Sequence, residues 1–190
     1  MNSYTVELAS WIIQDGNYAD FQHGETRAFA IGFSGFDLLV PCSPPADRRP
    51  TAQPADDGLY EVTGRIVHWA PQWQCLDIGV VAYCDAPPAQ GLQQGQWVNG
   101  WVGLGVDPFF YAESFSREVD APPLIHDWVI EEIHVRVAPF IEVAPRTMAP
   151  DPTRTRWEAI ERTNAWTDQG GLALYRLRCR LLDHPPRWSP

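Results

Sequence analysis

Eight residues of this sequence carry side chains suited to holding a ligand or a partner: Trp69, Tyr83, Trp97, Trp101, Asp107, Phe110, Tyr111 and Trp128. Aromatic rings bind flat ligands by stacking, and each ring buries about 150–250 Å² when it is covered. Five of the eight are predicted on the more polar face of their strands: Trp69, Tyr83, Trp97, Trp101 and Trp128. Either other strands of the chain cover this face as a second layer, or it forms a stacking platform for a ligand or a partner.

The segment Asp107-Pro108-Phe109-Phe110-Tyr111 combines a carboxylate, two rings and a phenol at the end of a predicted strand. Loops at the rim of a barrel often carry ligand sites. Asp107 is also suited to cap a helix that has Pro108 at its first position. The pattern is compatible with a short helix over 108–118 and with an extended strand.

The histidines do not show the spacing of a metal site. His126 and His134 are eight residues apart on one predicted strand, so a metal would need a third ligand from elsewhere, such as His68. His126 and Asp127 point to opposite faces and are not a ready acid–base pair. The sequence contains no nucleophile elbow, phosphate loop or dinucleotide-binding motif. We therefore expect no metal, no cofactor and no catalytic residue, and the sequence favours a non-catalytic role over an enzyme.

The charge of the chain weighs against nucleic acid as a partner. The sequence has 14 Arg, no Lys and 24 acidic residues, which gives a net charge of -10. Residues 1–135 contain 5 Arg and 18 acidic residues, and residues 136–190 contain 9 Arg and 6 acidic residues. Polyanion affinity depends on basic groups, so an acidic surface favours basic or neutral partners. One strand face carries the only basic stripe, Arg176, Arg178 and Arg180, and the side chains that can neutralise it are Glu131, Glu132, Glu158 and Glu161.

The composition indicates a folded protein without a membrane span. The 190 residues are 45% hydrophobic and 20% charged, which suffices for a full core. No run approaches 18 apolar residues and the N-terminus lacks a signal-peptide pattern, so we expect a cytoplasmic protein. The four cysteines form no CxxC pair and are expected to be free thiols. Excess arginine, proline, alanine and tryptophan is typical of a GC-rich bacterial coding sequence.

Alternation with a period of two residues predicts a mainly β fold. We expect a single-domain barrel or sandwich of eight or nine mostly antiparallel strands, with at most one or two short helices. Four segments follow from the pattern: a mobile Pro/Asp-rich loop at 41–57, a barrel-like core at 58–137, a Pro-rich connector at 138–155 and a C-terminal hairpin at 156–183. The start of that hairpin, 153–164, is also compatible with a helix.

Three details of the core depend on this alternation. One strand face is predicted to carry Leu76, Ile78, Val80 and Ala82. The strand over 125–137 is predicted to place Ile133 on one face and Trp128 on the other. Gly103 and Gly105 are predicted to mark a bulge.

Residues 58–108 resemble the first three strands of an oligonucleotide/oligosaccharide-binding (OB) barrel. The matching segments are Val62-Thr63-Gly64-Arg65-Ile66-Val67, Leu76-Asp77-Ile78-Gly79 and Gly95-Gln96-Trp97-Val98-Asn99-Gly100. The resemblance is one of fold, and it implies a helix after the third strand and a further barrel strand at 125–137. With these two elements it covers roughly half of the chain.

The leading functional hypothesis is a non-catalytic binding or protein-interaction module with an acidic surface and an aromatic-rich face. Its partner would be a protein, for example a basic toxin, or a small apolar ligand. One alternative is a β-barrel enzyme that folds an apolar small molecule by the shape of its pocket. A second alternative is single-stranded nucleic-acid binding through the OB-like portion.

Overall fold

The computed structural model describes residues 3–55, 58–87 and 91–190. The strands in these ranges are β1 (Ser3–Ala9), β2 (Thr26–Phe29), β3 (Ile31–Ser34), β4 (Val40–Pro41), β5 (Thr51–Pro54), β6 (Leu59–Trp69), β7 (Gln74–Asp77), β8 (Val81–Cys84), β9 (Trp97–Val106), β10 (His126–Val137), β11 (Phe140–Ala144), β12 (Thr147–Pro150), β13 (Arg156–Ile160) and β14 (Leu174–Leu181). The α-helices in the same ranges are short, α1 (Ser10–Gln14) and α2 (Phe110–Glu113). The predicted mainly β, single-domain barrel is confirmed, and turns divide it into more strands than the eight or nine expected.

Five strands close into a barrel. The strands β6, β7, β8, β3 and β9 pair in that order, and β9 pairs with β6 to complete the ring. Neighbours are antiparallel except β3 and β8, which are parallel. Closure removes the free strand edges. Buried apolar side chains fill the interior: Val62, Ile66, Leu76, Ile78, Val98, Val102 and Leu104.

The membership of this ring corrects two predictions. The single strand expected over 76–82 is two antiparallel strands, β7 and β8, joined by a tight turn in which Gly79 has a φ of 98°. The strand at 125–137 is β10, and it lies outside the ring. Its expected place is taken by β3, which precedes the other four barrel strands in the chain. Period-two alternation identifies strands but does not identify their partners.

Five further strands extend the barrel sheet on one side. Strand β1 pairs with β14, and β14 pairs with β10, which carries β13 and β2. Strand β1 also meets β9 in parallel where Glu7 lies opposite Gly105, so the barrel and the extension form one sheet. The core is continuous through both, and its members in the extension include Tyr4, Val6, Leu8, Phe29, Trp128, Ile133 and Leu177.

A β-bulge in β10 reverses the predicted orientation of Trp128. The bulge lies between Ile130 and Glu132 and adds one residue to the strand. Trp128 before it and Ile133 after it therefore face the same core, and both are buried. The indole Nε1 of Trp128 donates to the Phe29 carbonyl at 3.1 Å, and the two rings stack with centroids 5.6 Å apart. The prediction that Trp128 lies on a polar face is wrong.

The C-terminal third also differs from the prediction. Strands β13 and β14 both pair with β10 and not with each other, so 156–183 is not a hairpin. The expected connector at 138–155 contains a hairpin of its own, β11 with β12, and 153–164 forms β13 after a 3₁₀ turn. In the expected loop at 41–57, β5 pairs with β6, while residues 56 and 57 lie outside the described residues. These short strands have no clear alternation, which is why the sequence did not indicate them.

The arginine stripe of β14 is neutralised across strands. Arg178 binds Glu132 at 2.7 Å, and Arg180 binds Glu131 at 2.9 Å, as predicted. The other two predicted glutamates bind elsewhere: Glu158 pairs with Arg156, and Glu161 pairs with His23. Glu7 on β1 lies 3.4 Å from Arg176 instead. The stripe is an ion-paired surface.

The four cysteines are free thiols, as predicted. Burial raises the pKa of Cys84 to about 11, so this thiol is neutral at neutral pH. Within the ranges described above, no helix combines the length and the apolar character that crossing a bilayer requires.

Candidate binding groove

A row of four residues crosses the outer face of the sheet where the barrel meets its extension. Glu7 lies opposite Gly105, Gly105 lies opposite Gly32, and Gly32 lies opposite Tyr83. Adjacent strands are about 4.8 Å apart, so the row spans about 14 Å from Glu7 to Tyr83. Its two central positions have no side chain. The result is a flat floor of bare backbone between a carboxylate and a phenol.

The floor belongs to a groove of about 250 Å³. Gly103 continues the floor along β9 at the next outward position, because outward residues alternate along a strand. Pro108 and Phe110 form the rim at the end of β9, and Asp85 lies beyond β8. The ring of Phe110 is 43% exposed. The groove thus offers bare backbone, one open aromatic ring and carboxylates.

The glycines of the floor have no internal packing reason to be glycine. A Cβ at Gly32 would lie 3.8 Å from its nearest heavy atom, the Tyr83 carbonyl oxygen, and one at Gly105 would lie 3.4 Å from the Glu7 carbonyl oxygen. Both are acceptable contacts. At Gly103 the nearest atom is the Ser34 hydroxyl at 2.9 Å, which can rotate away. None of the three has a positive φ. Glycine within a strand often marks a place where another molecule approaches the backbone closely.

Other glycines of the barrel do have such reasons. A Cβ at Gly64 would lie 2.7 Å from the Asp77 carbonyl oxygen and would collide with the neighbouring strand. Gly35 has a φ of 86°, and its Cβ would lie 2.7 Å from the Trp101 carbonyl oxygen. These two positions require glycine for the fold itself. The fold therefore requires glycine at Gly35 and Gly64, whereas it does not require glycine at the groove positions Gly32 and Gly105.

A buried carboxyl group supports the wall of the groove. The Tyr83 hydroxyl donates to Oδ1 of Asp107, and the Tyr111 amide donates to the same oxygen at 3.4 Å. Asp107 is fully buried, and burial raises its pKa to about 6 although these hydrogen bonds act in the opposite direction. Burial also raises the pKa of Tyr83. The phenol is therefore a fixed, neutral part of the wall.

The chain after Asp107 turns sharply to reach the rim. Phe109 has a φ of 80°, a left-handed conformation that is strained for a bulky residue. Its ring packs against that of Tyr18, with the ring centroids 5.7 Å apart. The helix expected over 108–118 begins only at Phe110 and ends at Glu113. A strained backbone conformation persists where surrounding contacts hold it in place, and such conformations concentrate at functional sites. The turn at Phe109 brings Phe110 to the rim of the groove.

Tyr111 anchors this segment and does not face the groove. Its ring is buried with Trp73 and Leu124 in a second apolar cluster on the outside of the barrel. Its hydroxyl donates to the Pro122 carbonyl at 2.6 Å. Residues 107–125 therefore cover part of the barrel's outer face and hold the rim in position.

The sequence-predicted aromatic residues do not form one face. The structure brings together Tyr83, Asp107, Phe110 and Tyr111. Trp97 and Trp101 lie farther along the outer face of β9, where Trp101 is 43% exposed. Trp69 is half-buried at the end of β6, and Trp128 is in the core. None of these four tryptophans lines the groove.

The histidines stay apart from each other. No group of three or more His, Cys, Asp or Glu side chains among the described residues is arranged to hold a metal ion. His126 is buried against Trp128, with ring centroids 5.8 Å apart, and burial lowers its pKa. His68 packs against Trp73 at 4.3 Å, and burial lowers its pKa as well. Both are neutral core side chains at neutral pH.

Another surface depression, of about 380 Å³, is less suited to a ligand. It is lined by Asp20, Arg162, Thr163 and Asn164. Oδ1 of Asp20 already accepts hydrogen bonds from the Thr163 hydroxyl at 2.9 Å and from the Ala165 amide at 3.0 Å. The carboxyl group of this depression is therefore engaged internally, whereas the groove presents open backbone and an open ring.

The buried carboxyl predicts a specific pH dependence. The pKa of Asp107 is about 6 in the fold against 3.8 ordinarily, so ionisation opposes folding. The contribution of Asp107 to wild-type stability should therefore fall as pH rises through this interval, by about 3 kcal/mol. Asp107→Asn stays neutral and keeps an acceptor for Tyr83. Urea unfolding should show the variant gaining up to about 3 kcal/mol relative to wild type between about pH 4 and pH 7.

The matched control for this pH dependence is Asp127→Asn. Arg187 and His184 lower the pKa of Asp127 to about 2, so its ionised form stabilises the fold above the ordinary pKa and the contribution is lost as pH falls. This variant should therefore lose stability relative to wild type as pH rises from acid to neutral. An Asp107→Asn difference that is constant between pH 4 and pH 7 would contradict the burial argument.

Sequence reasoning missed most of the groove. It identified the Asp107–Tyr111 segment and Tyr83, but not Glu7, Gly32 or Asp85. The predicted bulge at Gly103 and Gly105 is wrong, because β9 keeps regular pairing with β3 through these residues. The usable signal was a set of glycines at alternate, outward positions of two strands.

Comparison of the chain with protein-family models, with curated proteins and with solved structures finds no match.

Proposed function

We propose that this protein is a non-catalytic interaction module that binds an extended segment of a partner protein in the groove. The observation that carries the proposal is the floor formed by Gly32, Gly103 and Gly105. These residues leave backbone open to the outside although the fold leaves room for a Cβ atom at Gly32 and Gly105. A chain segment laid on bare backbone gains close packing that a covered sheet face would deny it.

The walls support a binding role. Phe110 offers an open ring, and aromatic anchors contribute much of the energy of protein interfaces. Tyr83 and Asp107 fix one wall through a buried hydrogen bond, so the groove is organised before a partner arrives. A groove of about 250 Å³ suits one or two side chains of a partner better than a drug-sized ligand.

An enzyme that acts by the shape of its pocket is the competing candidate. The favourable observation is the pair of Tyr83 and Asp107, since carboxyl groups with a raised pKa concentrate at catalytic sites. Such an enzyme needs an enclosed apolar cavity, and the barrel interior is occupied by its own side chains. The groove instead lies on the outside. We therefore place catalysis second.

Nucleic-acid binding is the third candidate, and it rests on the resemblance to OB barrels. Those barrels have five strands, as this ring does, and we propose the likeness as one of architecture alone. The outer face is acidic at Glu61 and Asp85, and the arginine stripe is bound to glutamates. Phosphate binding requires free basic groups.

The cytoplasmic location expected from the sequence also stays a prediction.

A peptide-display selection tests the proposed function without assuming a ligand. A library of random linear peptides is selected on wild-type protein, and the recovered peptides are titrated against Gly105→Leu. The leucine side chain would fill the floor, so affinity should fall at least about tenfold for groove-binding peptides. Thr63→Leu on the outer face of β6 is the control, since it places the same leucine side chain outside the groove.

Two outcomes decide the proposal. Loss of binding with Gly105→Leu and retention with Thr63→Leu supports it. If the recovered peptides bind Gly105→Leu as tightly as wild type, or if no binder is recovered, the groove is not the interaction site and the proposal is overturned.

A further inference from the structure

The charges at the groove are all of one sign. Among the described residues that line it, the ionisable carboxylates are Glu7 and Asp85, and no arginine or histidine is present. Glu7 contacts Arg176 at 3.4 Å and is 40% exposed on its side chain, so this carboxylate still faces solvent. A third carboxyl group, Asp107, lies behind Tyr83. A cationic group entering the groove would meet attraction from each of them.

The shape of the groove selects among cations. Its floor is flat because Gly32 and Gly105 lie side by side, and Phe110 adds an open ring at the rim. A planar guanidinium stacks on flat surfaces and on aromatic rings, and it is more weakly hydrated than an ammonium group. It also forms paired hydrogen bonds to carboxylates, which a point charge does not. The geometry therefore suits arginine better than lysine.

In the extension of this sheet, an arginine of the protein itself stacks on an aromatic ring and pairs with a carboxylate. The guanidinium of Arg176 lies 4.1 Å from the centre of the Trp157 ring and pairs with Glu7. Arg176 is on the same outer face, next to Glu7 in the register. The floor of the groove begins on the other side of Glu7, at Gly105.

We infer that the groove receives the guanidinium group of an arginine side chain on an extended segment of a basic partner protein. The inference rests on the proposed function and names its ligand chemistry. Asp85 pairs with the charge, Glu7 adds attraction from the opposite end of the floor, Phe110 covers one face of the group, and the glycine floor accepts the other. The net charge of -13 over residues 1–135 attracts such a partner over a longer range.

Three short fluorescent peptides test the inference. They share one uncharged Ser/Ala framework and carry arginine, lysine or citrulline at the same positions, since citrulline has the shape of arginine without its charge. Fluorescence anisotropy should show the arginine peptide binding about tenfold tighter than the citrulline peptide, with lysine between them. Asp85→Asn should remove most of that advantage.

The control variant distinguishes the groove from general charge attraction. Glu61→Gln removes an exposed carboxylate from the outer face of β6, outside the groove. Equal weakening by Glu61→Gln and Asp85→Asn, or equal affinity for the arginine and citrulline peptides, overturns the inference. If the display selection yields groove-binding peptides that lack arginine, the proposed function holds and the inference alone fails.

Discussion

Trp128→Ala should destabilise the protein by about 3–5 kcal/mol, one of the two largest effects we expect. The indole is fully buried, stacks on Phe29, packs edge-on against Tyr4 at 6.1 Å, and donates its only hydrogen to the Phe29 carbonyl. Truncation removes these contacts, leaves a cavity in the extension core and strips a buried carbonyl of its donor. A protein of this size should melt at least about 6 °C lower.

The control for this prediction is Trp101→Ala. Trp101 is 43% exposed on the outer face of β9, opposite Glu61, and its removal should change stability by less than about 1 kcal/mol. Thermal unfolding followed by circular dichroism measures both variants. Equal losses from the two tryptophans would contradict the placement of Trp128 by the bulge in β10.

Gly64→Ala should also destabilise the protein strongly, by about 2 kcal/mol or more. Its new methyl group would lie 2.7 Å from the Asp77 carbonyl oxygen and 3.0 Å from the Leu76 side chain. Relief requires β6 and β7 to separate inside a closed ring, where neighbouring strands resist the movement.

The same substitution at the groove should have the opposite sign. Gly32→Ala places its methyl at ordinary contact distance, and alanine restricts the unfolded chain more than glycine does. This variant should be unchanged or up to about 1 kcal/mol more stable. Urea unfolding of the two variants checks the pair. If Gly32→Ala destabilises as much as Gly64→Ala, the groove glycines serve the fold and the proposal loses its main support.

Much of the barrel could be predicted because its long strands bury one face. Along β6 and β9, buried apolar residues such as Val62 and Val102 alternate with residues that face outward, and this alternation requires only local sequence. The closure of the ring could not be predicted in the same way. Strand β3 has four residues, and nothing in them identifies β8 as a parallel neighbour.

The errors in the extension have one physical origin. Strand pairing is a long-range property, so β13 and β14 looked like a hairpin although β10 lies between them. The bulge after Ile130 depends on the same pairing, because an extra residue in one strand is defined only against its partner. The orientation of Trp128 therefore required the structure.

The groove shows a third limit of sequence reasoning. The loop from Asp107 to Tyr111 drew attention because its side chains are large and chemically distinct. Gly32 and Gly105 contribute through the absence of a side chain, and their meaning appears only when their neighbours are known. Glu7 and Asp85 are two of 24 acidic residues, and only the register places them beside this floor.

The most direct test of the groove is an amide chemical-shift map with a peptide from the display selection. Isotope-labelled protein is titrated with that peptide, and the shifts of individual backbone amides are followed by NMR. We expect the largest shifts at Gly32, Gly103, Gly105 and Phe110, with little change at Thr63 and Trp101 on the neighbouring outer face. Shifts that centre on other surfaces and leave the groove glycines unchanged would contradict binding in the groove.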